Sequence, residues 1–286
     1  MAVTGSTGGL GGRIARRLAE RGVPQRLVVR DPARAPELPG ATVVAADYGD
    51  GEAMRAALAG VGTLLLVSAT ETEDRVARHL SAVEAAAAAG VEHVVYVSFY
   101  GAAPDATFTL ARHHWRTEEA VRATGAGFTF LRDSLYQDVL PYFVGLDGVI
   151  RGPAGDGRCG FVARDDIADV AVAVLLEPAA HNGRTYSLTG PETLTFHEVA
   201  TELGAQSGHP VTYQAETLAE AYASRASYGA PDWMVEGWVT SYAAVATGEL
   251  DGTTDDVARV AGRAPQSFAE YLRRNPAELN RIRALT

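Results

Sequence analysis

The stretch Val3-Thr4-Gly5-Ser6-Thr7-Gly8-Gly9-Leu10-Gly11 sets glycines at i, i+3 and i+6 between a short apolar run and a helical pattern. Few local sequences restrict a fold as strongly. Gly5 permits the tight turn, Gly8 lets a pyrophosphate approach the backbone, and Gly11 lets the following helix pack closely on the strand. Leu10, Ile14 and Leu18 then recur on one helical face. The helix N-terminus offers free N–H groups and its positive dipole end to phosphate. Gly5, Ser6, Thr7, Gly8, Gly9, Leu10 and Gly11 are therefore the first candidates for contact with a dinucleotide.

The same strand–helix unit then repeats along the chain. Apolar runs at Ala2–Thr4, Leu27–Val29, Thr42–Ala45, Thr63–Val67, His93–Val97 and Phe128–Leu131 alternate with helical stretches at Gly11–Glu20, Gly51–Leu58, Asp74–Ala89 and Arg112–Ala123. Continuous apolar strands are buried on both faces, so the sheet is expected to be parallel with helices on each side. The fold class is α/β, a Rossmann-type doubly wound parallel sheet. Residues 1–132 are expected to form this dinucleotide-binding part. Residues 133–286, richer in aromatics, Gly and Pro, form a smaller C-terminal substrate lobe interleaved with the sheet.

Composition removes several kinds of chemistry. None of the 25 basic residues is a lysine, which excludes a Schiff base, a P-loop lysine and a lysine acid or base. Abundant alanine accompanies this bias, as a GC-rich genome would produce. One cysteine, Cys159, excludes an internal disulfide and a cysteine-rich metal site, and no metal is expected. The net charge of −10 is carried almost wholly by residues 131–286, which argues against nucleic acid as a partner. No run is long and apolar enough to span a membrane, and no signal-like region precedes the glycine loop. A cytoplasmic protein with a small-molecule partner is the expectation, with oligomerisation left open.

The second strand bears on the cofactor. It ends Val28-Val29-Arg30-Asp31-Pro32, with Arg34 close behind. An acid here suits the ribose of NAD, whereas an arginine suits the 2′-phosphate of NADP. Arg30 at the strand end can fork onto phosphate oxygens, while Pro32 is expected to turn Asp31 outward. NADPH is therefore expected ahead of NADH. Asp47, Ser68 and Ser98, at the ends of the next strands, complete the cofactor candidates.

Short-chain dehydrogenases place a Tyr-x-x-x-Lys pair on the helix after strand five, and this chain cannot. The helix reads Leu110-Ala-Arg-His-His-Trp-Arg-Thr-Glu-Glu119. Together with the glycine loop, Val29-Arg-Asp-Pro32, His114-x-x-Thr-Glu118, Phe128-Thr-Phe-Leu-Arg132, Phe161-Val-Ala-Arg-Asp-Asp-Ile-Ala168, Tyr186-Ser-Leu-Thr-Gly190 and Thr254–Arg263, it resembles the NmrA-like, atypical short-chain dehydrogenase family, which includes bacterial NAD(P)H:quinone oxidoreductases and triphenylmethane reductases. The resemblance spans nearly the whole chain. It implies an NADPH-dependent oxidoreductase that passes hydride to a quinone or similar planar acceptor, or alternatively an NADP(H)-sensing regulator without turnover.

Counting back from Glu118, His114 takes the lysine position and Leu110 the tyrosine position. His114, Tyr100 and Gln137 are the candidate catalytic residues, with Tyr136 beside them. Many relatives have Asn after the acid in the substrate loop, where this chain has Asp138-Val139. Asp165 and Asp166 are adjacent, so they do not face one site; they are expected to cap the next helix. Trp233, Trp238, Tyr142 and Phe143 are expected in the core of the lobe, with a flat acceptor pocket as the alternative.

Overall fold

The computed structural model describes residues 1–285. Strand β1 (Ala2–Thr4) leads through the glycine turn into α1 (Gly9–Glu20), followed by β2 (Gln25–Val29) and β3 (Ala41–Ala45). Helix α2 (Gly51–Ala57), β4 (Thr63–Leu66), α3 (Arg75–Ala88), β5 (His93–Phe99), α4 (Thr109–Ala123) and β6 (Gly127–Asp133) continue the alternation. A 3-10 stretch over Gln137–Phe143 leads to β7 (Val149–Gly152), α5 (Arg164–Leu176) and β8 (Arg184–Leu188). The remainder is α6 (Phe196–Ser207), β9 (Thr212–Ala215), α7 (Leu218–Arg225), α8 (Asp232–Ala246), α9 (Asp256–Ala261), α10 (Phe268–Arg274) and α11 (Asn280–Arg283).

The main sheet runs β3-β2-β1-β4-β5-β6-β8, every neighbouring pair parallel. Successive strand residues serve opposite faces. Leu27, Leu65, Val95 and Leu131 pack with Ile14 and Leu18 of α1 and Val170 and Val174 of α5. Val28, Leu64, Val94 and Phe130 pack on the other side with Met54, Val83 and Ala86. Each large apolar side chain so buried is worth about 1.5–3 kcal/mol. The two helical layers, rather than strand propensity, hold the sheet together.

The second half of the chain returns to the sheet, because β8 pairs with β6 in register from Thr129–Arg184 to Asp133–Leu188. Helices α5 and α9 of this half cover the sheet, and other segments pack around the parallel pair β7–β9 and a stack of rings. Phe196 lies 4.8 Å from Tyr242 and 5.5 Å from Tyr213, and Phe143 lies 5.7 Å from Tyr242. Trp238 instead meets Tyr228 at 6.1 Å beside a small cluster of Ala221, Val235 and Val239, and Tyr142 is exposed with its hydroxyl on Glu278.

Helix α5 begins at Arg164 with Ala163 at its cap, so Asp165 and Asp166 lie in its first turn instead of capping it. Their work is to brace neighbouring elements. Asp165 pairs with Arg13 at 3.2 Å and Arg17 at 2.6 Å on α1. The fully buried Asp166 accepts from Arg263 at 2.7 Å and from the Gln266 backbone at 2.9 Å. Like-charge neighbours one residue apart point in different directions, and here each finds its own arginine.

Candidate functional site

Strand order reverses between β1 and β4, so a crevice opens outside their C-terminal ends, the position where such sheets take ligands. Thr4 donates to the Leu65 carbonyl at 3.0 Å and accepts from Val67 N at 2.9 Å. The Tyr48 hydroxyl stands 2.5 Å from Thr4 Oγ1 and 2.7 Å from the Val67 carbonyl, closing the floor. Gly5 has φ +65°, open to glycine at little cost, and a Cβ there would lie 2.9 Å from that of Val67. A Cβ on Gly11 would stand 2.3 Å from the Gly5 carbonyl oxygen, so only glycine lets α1 approach the turn.

Helix α1 has no side-chain cap, and its first N–H groups are free to meet an anion. Ser6 is buried with its Oγ unpartnered, whereas Thr7, Gly8 and Gly9 are exposed and Leu10 is packed beneath the sheet. Arg164 reaches over the same end, its Nη1 3.4 Å from where a Gly9 Cβ would be and its guanidinium 4.7 Å above the Tyr136 ring.

At the far side of β2, Arg30 is exposed just past the strand end. Asp31 spends its carboxylate on Ala33 N at 3.0 Å in the turn that Pro32 starts, which leaves Arg30 as the side chain free to receive a phosphate. Asp47 accepts from Arg78 of α3 at 2.6 Å and from Gly49 N at 2.8 Å.

The other side of the crevice is built around His114. Arg75, the first residue of α3, donates from Nη2 to His114 Nε2 at 3.2 Å. A guanidinium can only donate, so Nε2 accepts and the ring proton sits on Nδ1, facing the Tyr96 hydroxyl at 3.1 Å. Ser68 joins from the end of β4, with Oγ 3.1 Å from that hydroxyl and 2.9 Å from the Val97 carbonyl. Burial, then Arg75, holds the His114 pKa well below the ordinary value, so the ring is neutral. His79 repeats the arrangement one turn along α3. It accepts from Ala69 N at 2.9 Å, faces Thr117 Oγ1 at 3.0 Å, and is pushed down to about 3 by burial and Arg75.

The Thr-Glu part of the helical motif is a structural tie. Glu118 is fully buried and receives Arg132 through Nε at 2.8 Å and Nη2 at 2.6 Å, as well as the Ser98 hydroxyl at 2.6 Å. Ser98 therefore faces α4. Tyr100 lies half-buried against the lobe, its hydroxyl beside Gly252. Gln137 is buried and donates to the carbonyls of Phe161 and Gln266, both at 3.1 Å. Tyr136 donates to the buried Asp133 at 2.8 Å, and burial raises the pKa of both well above ordinary values. Val139, which follows the buried Asp138, is half-buried.

The structure thus brings His114, Ser68 and the glycine turn to one crevice edge and keeps Gln137 and Ser98 in buried polar ties. Arg75, His79 and Tyr96 join the site although no motif marks them. The only hint in the sequence is that Arg75 and His79 stand four residues apart, on one helical face. Two surface hollows lie elsewhere, one against Asp169 and Arg263, the other at the N-terminal strand edge near His93 and Asn182. Neither gathers unmet polar groups as the crevice does. Among the described residues no His, Cys, Asp and Glu cluster could hold a metal ion, and no helix is long and apolar enough to cross a membrane.

A doubly wound parallel sheet with a side-chain-free phosphate cradle at its switch point defines a dinucleotide-binding protein of the Rossmann type. The family model described as NmrA-like family matches residues 1–272, and the chain belongs to that family. It is 33% identical over 280 residues to an NAD(P)H azoreductase of Xenophilus azovorans, covering 96% of this chain and 97% of that one. It is 35% identical over 277 residues to quinone oxidoreductase 2 of Escherichia coli, covering 94% of this chain and 96% of that one. The crystal structure of the Escherichia coli NADPH-dependent quinone oxidoreductase with NADPH superposes with a TM-score of 0.87 at 34% identity, covering 96% of this chain and 98% of that one.

Proposed function

We propose that this protein is an NADPH-dependent oxidoreductase that reduces a quinone or a similar planar conjugated small molecule. The observation that carries the reading is the cradle at the switch point, where Gly5 and Gly11 exclude side chains and α1 presents uncapped N–H groups. The residues present fit a dinucleotide. The buried Ser6 hydroxyl lacks a partner, Arg164 overhangs the cradle, and Arg30 is free at the strand end. The glycine turn would hold the diphosphate and Arg30 the 2′-phosphate, with Ser68 and the His114 network bordering the nicotinamide half. When bound, the reduced nicotinamide supplies the hydride. The relatives whose names include a quinone oxidoreductase and an azoreductase support an acceptor of this kind.

The side chains themselves narrow the acceptor. His114 is neutral with both nitrogens engaged, and burial pushes the Tyr96 and Tyr136 hydroxyls away from giving up protons. A site so arranged suits acceptors whose reduced oxygen is a weak base. A phenolate takes its proton from solvent, whereas the alkoxide of a simple ketone needs a strong local donor. A reductase fed by NADPH works where that coenzyme is kept reduced, and the cytoplasm is such a compartment.

The test is steady-state consumption of NADPH by purified protein over a panel of quinones, azo dyes and simple ketones. Turnover with the conjugated acceptors and none with the ketones is expected. Tight NADPH binding without turnover on any acceptor would overturn the reading and leave a sensor. Arg30→Ala is expected to weaken NADPH by about tenfold while leaving NADH nearly unchanged, measured by fluorescence titration.

A further inference from the structure

Arg75 is the least expected group in the crevice. It is 4% exposed, yet no carboxylate pairs with it among the described residues. Its Nε donates to the Ala69 carbonyl at 3.1 Å, its Nη2 to His114 at 3.2 Å, and its Nη1 is buried without a partner. Two more buried polar atoms without partners lie alongside. One is Oγ1 of Thr72, a residue whose backbone carbonyl accepts from Arg75 N at 3.1 Å; the other is Nδ1 of His113, whose charged form is disfavoured by burial and then by Arg75. The charge is also felt by Asp133 at the end of β6.

Two hydrogen bonds, to the Ala69 carbonyl and to His114, are all that Arg75 gives the fold. Burying a guanidinium without a carboxylate is costly, and an apolar side chain would fill the place more cheaply. Three neutral imidazoles surround the charge without cancelling it. Nε2 of His114 holds Arg75 in place.

We propose that Arg75 supplies the fixed cation of this site, delivered from α3 and aimed by His114, and that its free Nη1 N–H groups stabilise the oxyanion that forms on the acceptor. The inference rests on the reductase reading above. In the step, the hydride's two electrons form a C–H bond on the conjugated acceptor, whose carbonyl π electrons move onto oxygen. Oxidised nicotinamide is left, and the oxyanion then takes one proton from solvent. A cation held in place before the charge forms lowers the energy of that charge. Arg75 is thus a catalytic residue, and His114 a positioning residue that acts through it. Reaching Nη1 requires displacement of the turn Thr70–Glu73, in which Thr70, Glu71 and Glu73 are exposed and Thr72 Oγ1 has no hydrogen-bond partner among the described residues.

The test uses the full chain, NADPH and a series of benzoquinones whose hydroquinones span a range of acidity. For Arg75→Met, NADPH affinity by fluorescence titration is expected to stay near wild type and kcat to fall about a hundredfold. The loss should grow with the basicity of the reduced acceptor. Arg75→Ala should regain part of its rate on addition of guanidinium ion, and Arg75→Lys should keep more activity than the methionine variant. A uniform loss across the series without rescue would show a merely structural role and overturn the proposal, as would an unchanged rate. Should the methionine and alanine variants not fold, the slope of the Arg75→Lys variant across the series decides between the same outcomes. A wild type that binds NADPH yet reduces no acceptor overturns the reductase reading and this role together. An active wild type matched by its Arg75→Met variant overturns only this role.

Discussion

At the scale of single residues, the site is governed by groups denied their usual charge or their usual space. Gly11→Ala would set a Cβ against the Gly5 carbonyl at 2.3 Å, so the turn must open. A loss of about 1–3 kcal/mol is expected in denaturant unfolding, with weaker NADPH binding as its companion. Glu118→Gln removes the charge that receives the Arg132 fork, leaving the half-buried arginine poorly satisfied. About 3 kcal/mol or more is expected, because a broken pair costs more than a pair never made. His79 predicts a pH effect. Its folded pKa of about 3 lies below the unfolded value of 6.5, so the unfolded chain binds the extra proton between them. Stability is therefore full above about pH 6.5 and falls as pH drops toward 3, where the folded state begins to take its own proton. His79→Asn should flatten that acid limb in urea titrations run at a series of pH values. If its slope matches wild type, the buried imidazole is not its source.

At the scale of elements, what the sequence reveals depends on whether a segment carries its own signal. Strands β4 and β5 are legible because both faces are buried and their residues are apolar without alternation. Helix α1 is legible through Leu10, Ile14 and Leu18, though it starts at Gly9, two residues before the expected Gly11. Helix α4 begins at Thr109 rather than Arg112, since its first turn carries only Leu110 and Ala111 toward the core. The β7–β9 pair escapes notice because two four-residue strands are decided by partners sixty residues apart. The site divides in the same way. The glycine turn can be located from spacing and His114 from the resemblance of its helix to that of the short-chain dehydrogenases, whereas Arg75 and Tyr96 enter only through the packing of α3 and α4 over β5. The α5 seam yields a prediction of its own. Asp166 is the one carboxylate that ties α5 to both Arg263 and the Gln266 backbone. Asp166→Asn is expected to cost about 2 kcal/mol and to speed amide hydrogen exchange in residues 263–272 ahead of the sheet. Uniform acceleration across the molecule would show that the tail is not a separate unit.

At the scale of the whole molecule, the acidic half of the chain and the more nearly neutral half share one sheet. The net charge of −10 does not repel a phosphorylated coenzyme from the crevice, because Arg30 and Arg164 stand at its edge. A chain cut after Asp133 would lose β8 and α5, and with them the cover over Ile14, Leu18, Val95 and Leu131. Such a fragment is expected to lack a cooperative thermal transition, read by circular dichroism; a sharp transition would show that the first half folds alone. The place of β8 also has a bearing on synthesis. The last strand of the sheet is not available until residue 188 has left the ribosome, so from the completion of β6 at Asp133 until then β6 is an open edge backed by uncovered apolar side chains. The nascent protein is then a client for whatever shields hydrophobic surface in the cell, and the interval ends when Arg184–Leu188 docks beside Thr129–Asp133.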